Sequence, residues 1–148
     1  MSEAITMYLG DQCIFALRLL LACICGGMIG YERQQRTKFA GIRTHIIICM
    51  AAALMMLISK HGFLDVVHQG INYDVSRVAA GIIAGMGILG GGVVISNNKQ
   101  GTVSGITTAA GIWVTIAIGM CAGAGMYVMA IFSTLLVELI QGIFHKDL

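Results

Sequence analysis

Proline is absent from this chain, and charge is scarce: Asp, Glu, Lys and Arg together make up 11% of 148 residues. Average globular chains carry about 25% charged residues, so this one cannot clothe a water-facing surface. Without proline, the commonest helix kink is excluded, and any irregularity falls to the 20 glycines. The net charge of only +2 gives no basis for a nucleic-acid partner. The N-terminal stretch MSEAITMYLGDQ lacks Lys and Arg, hence the basic n-region of a cleaved signal peptide. Between Asp74 and Glu138 no acidic residue occurs. There is no Walker A motif, no HExxH and no nucleophile–base pair, so an enzyme is the weakest function class. The five cysteines, Cys13, Cys23, Cys25, Cys49 and Cys121, fall in or beside apolar runs. Their odd number points to free buried thiols, not a disulfide framework.

What is present is apolar surface, 57% of the residues. Val78–Ile95, VAAGIIAGMGILGGGVVI, carries six glycines and no charge. At about 1.5 Å per helical residue it extends roughly 27 Å, close to the hydrocarbon thickness of a bilayer. In water so much glycine would cost a helix about 1 kcal/mol per residue relative to alanine. In lipid, small residues let backbones approach closely. Gly85-Met86-Gly87-Ile88-Leu89-Gly90 matches GxGxxG literally, but a nucleotide loop needs a preceding strand and a following acid, and neither is here.

Five apolar segments can be drawn, at about 13–30, 42–59, 78–95, 106–122 and 126–144. The expected fold is all-α: one polytopic transmembrane domain over residues 1–148, with no C-terminal soluble domain. Arg33, Arg36, Lys38, Arg43, Lys99 and Lys146 flank one side of the spans, and only Lys60 and Arg77 the other. The positive-inside rule then places the N-terminus outside and the C-terminus in the cytoplasm. Small-xxx-small pairs recur at Gly26/Gly30, Gly81/Gly85, Gly87/Gly91 and Gly119/Gly123. Their concentration in span three, with Gly90 and Gly92, predicts a central packing helix, and Trp113 is expected to pack on a glycine surface. Span five, rich in large aliphatic residues, is the expected lipid-facing helix.

The polar residues carry two readings each. Arg18, about two turns into span one, either snorkels to head groups or pairs, with Asp74 as a candidate partner toward the same face. Glu32 either fixes topology with Arg33, Arg36 or Arg43, or belongs to a site. Thr44 is a candidate cap for span two, with His45 as an interfacial histidine one turn inside. Asp74 or Ser76 can cap span three, and Asp74 can pair with Arg77. His61 and His68, near Asp65, offer at most a weak metal site in a solvated loop.

Read together, GYERQ at Gly30–Gln34, AGIRTH at Ala40–His45, DVSRVA at Asp74–Ala79, GMGILGGGV at Gly85–Val93 and GITTAAGIW at Gly105–Trp113 are specific in order and spacing. Across nearly its whole length the chain resembles the MgtC/SapB (YhiD-like) family of bacterial membrane proteins. It departs from the family pattern at Val75, where proline is frequent, and at Ile88, where phenylalanine is usual. The resemblance implies a multi-pass plasma (inner) membrane protein linked to adaptation to low Mg²⁺, acid stress or survival inside host cells. It also implies functional positions at Glu32, Arg33, Arg43, Thr44, Asp74, Arg77, Thr107 and Thr108. Two functions are expected from it: a non-enzymatic modulator of another membrane complex, such as the rotary ATP synthase, or a carrier or channel for Mg²⁺ or another small ion. No cofactor is expected beyond a possible Mg²⁺. Its only weak carboxylate candidates, Asp74 and Glu32, fall near opposite membrane faces unless Gly90-Gly91-Gly92 breaks span three. A homo-oligomer is expected from the surplus of glycine faces.

Overall fold

A computed structural model describes residues 2–63, 74–96 and 104–143, and every regular element among them is a helix. The five helices are α1 (Ser2–Gln35), α2 (Ile42–His61), α3 (Ser76–Ser96), α4 (Ile106–Ala124) and α5 (Tyr127–Ile143). Four are long and apolar enough to cross a membrane, and α5 is a shorter apolar helix of 17 residues. Lys99, Lys146, Asp65 and His68 lie outside the described residues.

Helix ends follow local chemistry. After α4 the amides of Gly125 and Met126 donate to the carbonyls of Ala122 and Cys121, with Gly125 at φ 88°. This is a Schellman motif, in which glycine adopts the left-handed conformation without a Cβ clash. The same pair of bonds closes α1, from Thr37 to Gln34 and from Lys38 to Arg33, but here Thr37 holds φ 51°. A β-branched residue is strained there. Helix α2 starts at Gly41 with no side-chain cap, so Thr44 does not fill that role. Instead Gln34 Oε1 accepts the Ile42 amide at 3.4 Å.

The core sits where α1, α2 and α4 meet, and glycine sets the spacing. A Cβ on Gly26 would lie 2.6 Å from the His45 carbonyl oxygen, and one on Gly30 2.6 Å from Ile42 Cα. Further along the same stripe of α2, Gly119 and Gly123 of α4 press on the backbone of Cys49 and Ala53. Around these seams Ala22, Cys25, Ile29, Cys49, Ala53, Ile118, Ala122 and Ala130 form the buried cluster. All five cysteines are free thiols. Helix α5 touches α1 and α4, burying Ala130 and Thr134 and leaving Phe132, Leu135 and Leu139 exposed.

The expectation that span three is central is overturned. Helix α3 lies at the edge against α2 and α4, and Met86 is its buried residue. Among the described residues nothing approaches within 4 Å of a Cβ built at Gly81, Gly85, Gly87, Gly91 or Gly92, and Gly90 meets Ala109 Cβ at 3.9 Å. Trp113 likewise does not pack on glycine. It is 54% exposed, lining a groove with Ile83 and Met86. The glycine spacing of span three resembles that of α1 and α4, but the α1–α2–α4 seams already occupy the His45–Cys49–Ala52 stripe of α2. Helix α3 is continuous through Gly90-Gly91-Gly92, so GxGxxG lies inside a helix and forms no phosphate loop.

Candidate functional site

Polar side chains gather at the two ends of the bundle, one helix length apart. At the end where α1 stops and α2 and α4 begin, Arg33 is 3% exposed. Its Nη2 donates to the Thr107 carbonyl at 2.7 Å, across from α1 to the start of α4. Gly111 leaves room for it: a Cβ there would sit 3.1 Å from Arg33 Nη2. One turn on, Thr115 Oγ1 lies 2.8 Å from Nδ1 of His45 and donates to the Gly111 carbonyl at 2.7 Å. His45 is fully buried, not interfacial as its place in the sequence suggests. Thr108 is buried beside this layer.

Arg36 ion-pairs with Glu32 and donates from Nη1 to the Gln141 carbonyl of α5 at 2.8 Å. Of the three candidate partners for Glu32, the structure therefore selects Arg36, one turn away on the same helix. Glu138 lies within electrostatic reach of both. This α1–α5 bridge was not legible in the sequence, because Glu138 and Gln141 sit over a hundred residues from Glu32. The one signal was Glu138 itself, an acid inside an otherwise uncharged span. Arg43 and Thr44 are exposed on the first turn of α2, beside a cleft they share with Gln34, Gly41 and Ile42.

At the other end, Arg18 donates to Tyr127 Oη at 3.0 Å and to the Gly123 carbonyl at 3.1 Å. Lys60 Nζ donates to the Ala124 carbonyl at 2.8 Å. Two cations thus meet the C-terminus of α4, where unpaired carbonyls and the helix dipole favour positive charge. Of the two readings for Arg18, pairing with Asp74 is not what the structure shows; its partners are Tyr127 and the Gly123 carbonyl. The Asp74 carboxylate accepts the Ser76 hydroxyl at 2.6 Å and the Ser76 amide at 2.9 Å, which caps α3. Those bonds hold its carboxyl below the usual carboxylate range. The Arg77–Asp74 contact, at 3.9 Å and well exposed, adds little. His61 packs on the Phe15 ring, with centroids 4.7 Å apart.

Of the predicted residues, Arg33, Thr107 and Thr108 come together, Glu32 stands beside them on α1, and Asp74 and Arg77 are at the far end. No group of three or more His, Cys, Asp or Glu suited to a metal occurs among the described residues. Apolar helices with charged ends and an uncharged, glycine-packed middle define a multi-pass helical membrane protein. The model of the MgtC family matches residues 19–146, and the chain belongs to that family. It is 47% identical over 135 residues to a protein of Escherichia coli K12 named "Putative magnesium transporter YhiD", covering 89% of this chain and 61% of that one. It is 35% identical to Protein SrpB of Synechococcus elongatus (84% of this chain, 71% of the relative). To Protein MgtC of Salmonella typhimurium 14028s it is 34% identical (83% and 49%). The chain thus spans from about half to about seven tenths of the length of these relatives, and less than two thirds of the Escherichia coli one. No solved structure matches it.

Proposed function

We propose that this chain is the membrane part of a non-enzymatic regulator in the bacterial inner membrane, acting by docking on another membrane complex. The observation that carries this reading is the uncovered glycine face of α3. Gly26, Gly30, Gly119 and Gly123 each meet a neighbouring helix, whereas Gly81, Gly85, Gly87, Gly91 and Gly92 meet nothing within 4 Å among the described residues. In lipid, such a face gains association free energy from close backbone packing. Asp74 and Arg77 sit at its mouth. The charge bias of the connections supports an exterior N-terminus and a cytoplasmic C-terminus. The family resemblance supports a role in adaptation to low Mg²⁺, acid or host-cell stress, with the rotary ATP synthase as one partner to test. The same face accommodates a second copy, so a homo-oligomer belongs to this reading. A photocrosslinking residue at Gly85, introduced into the protein in its native membrane, tests it. Adducts to another membrane protein are expected; adducts to lipid alone sink the proposal.

The name of the Escherichia coli relative raises Mg²⁺ transport as a second reading. Mg²⁺ takes several oxygen ligands in near-octahedral geometry. Glu32 and Asp74 stand at opposite ends of helices about 30 Å long, and α3 runs unbroken between them. That arrangement favours the regulator.

A further inference from the structure

The layer around His45 holds a group that the regulator reading does not use. The Thr115 hydroxyl has one proton, and it is committed to the Gly111 carbonyl. His45 Nδ1, 2.8 Å from the same oxygen, must then carry the hydrogen and donate it. The opposite assignment would forfeit the Thr115–Gly111 bond. Nε2 is left as a bare acceptor, fully buried and without a hydrogen-bond partner among the described residues. Arg33 Nε is buried and unpartnered in the same way. Gly111 packs on the Arg33 guanidinium and Thr115 on the His45 ring. These positions are one turn apart on α4, so the two side chains are neighbours on one helix face.

We propose that His45 Nε2 is a proton-binding site inside the bundle, and that filling it loosens the seam between α1, α2 and α4. The charges around it decide the direction. From α1 it faces the Arg33 cation. From α4 it faces the Thr115 hydroxyl and glycine backbone, with no titratable group. Its own helix adds exposed Arg43 and, one turn on, the buried Cys49 thiol. The Glu32 carboxylate is paired with Arg36, and Glu138 of α5 lies within electrostatic reach of that pair. The positive end of the α2 dipole lies within its first turn. A proton on Nε2 would therefore create a second buried cation beside Arg33 with no anion facing it. The seam has no slack, because Gly26 and Gly30 hold α1 against the His45 backbone. Separation of the helices is the way to hydrate that charge. The cleft of about 450 Å³ lined by Gln34, Gly41, Ile42, Arg43 and Thr44 opens beside the same turn of α2. The proposal is independent of what docks on α3.

Hydrogen exchange of the full chain in nanodiscs, corrected for intrinsic rates, tests it. With one extra proton bound by the open state, opening of the α1, α2 and α4 peptides rises by up to about tenfold per pH unit below roughly 6.5. His45→Asn keeps an amide donor for Thr115 and cannot titrate, so its exchange is expected to be flat over the same range. Should that variant not fold, imidazole nitrogen NMR of the unaltered protein decides. The Nδ1–H tautomer near pH 8, with a second proton arriving alongside the opening, supports the site. An Nε2–H tautomer, exchange independent of pH, or the same acid slope in His45→Asn overturns it.

Discussion

Gly26→Ala and Gly85→Ala are the same chemical change, in membrane-spanning helices of one protein, and they should have opposite effects. At Gly26 the new methyl would lie 2.6 Å from the His45 carbonyl oxygen and 2.8 Å from Cys49 Cβ. Reaching an ordinary contact near 3.4 Å requires α1 and α2 to part by about 0.8 Å. The obstacle is backbone, which cannot rotate away, and overpacking of this kind costs about 1–3 kcal/mol. At Gly85 the methyl meets nothing within 4 Å. Both variants gain the helix preference of alanine over glycine, about 1 kcal/mol. That gain cancels in the comparison, so the difference between them is the clash itself, about 1–3 kcal/mol. Equilibrium unfolding in mixed detergent micelles, followed by helicity, measures it. Gly85→Ala should unfold at the same or higher denaturant than the unaltered protein, and Gly26→Ala at lower. Equal destabilisation of the two would mean that α3 is packed, and the reasoning about its free face would fail. A Gly85→Leu variant that is stable yet inactive in cells would place the function of α3 in docking, not in holding the fold.

Other consequences are as direct. Arg18→Ala strips the Gly123 carbonyl and Tyr127 of their donor and should lower stability by about 1–3 kcal/mol, with Arg18→Lys recovering part of it; an unchanged unfolding midpoint would show the bonds contribute nothing. Thr37→Gly should stabilise by about 1 kcal/mol, because glycine takes the left-handed φ without a Cβ clash; a lower midpoint would count against that strain. Trp113, the single tryptophan, is 54% exposed on the groove beside α3; brominated lipids should quench its fluorescence strongly, and loss of quenching on adding a partner would locate the docking face. The Asp74 carboxyl is held low by the Ser76 hydroxyl and amide. Its cap is therefore fully present above the ordinary carboxylate range near pH 4 and lost as pH falls through the lowered value. Protection of the Ser76 amide should follow that course, and in Asp74→Asn it should not depend on acid. Proteoliposomes should show no Mg²⁺ flux, with Asp74→Asn indistinguishable; a flux abolished by that change would restore the carrier reading.

Much of the candidate site was readable, but not its wiring. Glu32 and Arg33 stood out as charged residues at the rim of an apolar run, and the family resemblance pointed to Thr107. That Arg33 reaches the Thr107 carbonyl, and that Arg36 takes Glu32 and reaches Gln141, depends on α4 and α5 closing against α1. Spacing along the chain holds no record of that closure. His45 read as interfacial because it sits one turn inside α2. The structure buries it because Gly30 and Thr115 bring two other helices onto that turn.

By itself, the amino-acid sequence determined the membrane, the helical class and the family. Long uncharged runs cannot leave backbone amides unpaired in lipid, so each must close its own hydrogen bonds as a helix. The tertiary structure alone decided which glycines pack. Gly26/Gly30, Gly119/Gly123 and Gly81/Gly85 are indistinguishable as patterns, yet the first two pairs press on the backbone of α2 and the third meets nothing within 4 Å among the described residues. A missing side chain permits close approach on any helix. It takes a second helix, placed there by the rest of the chain, to make use of it.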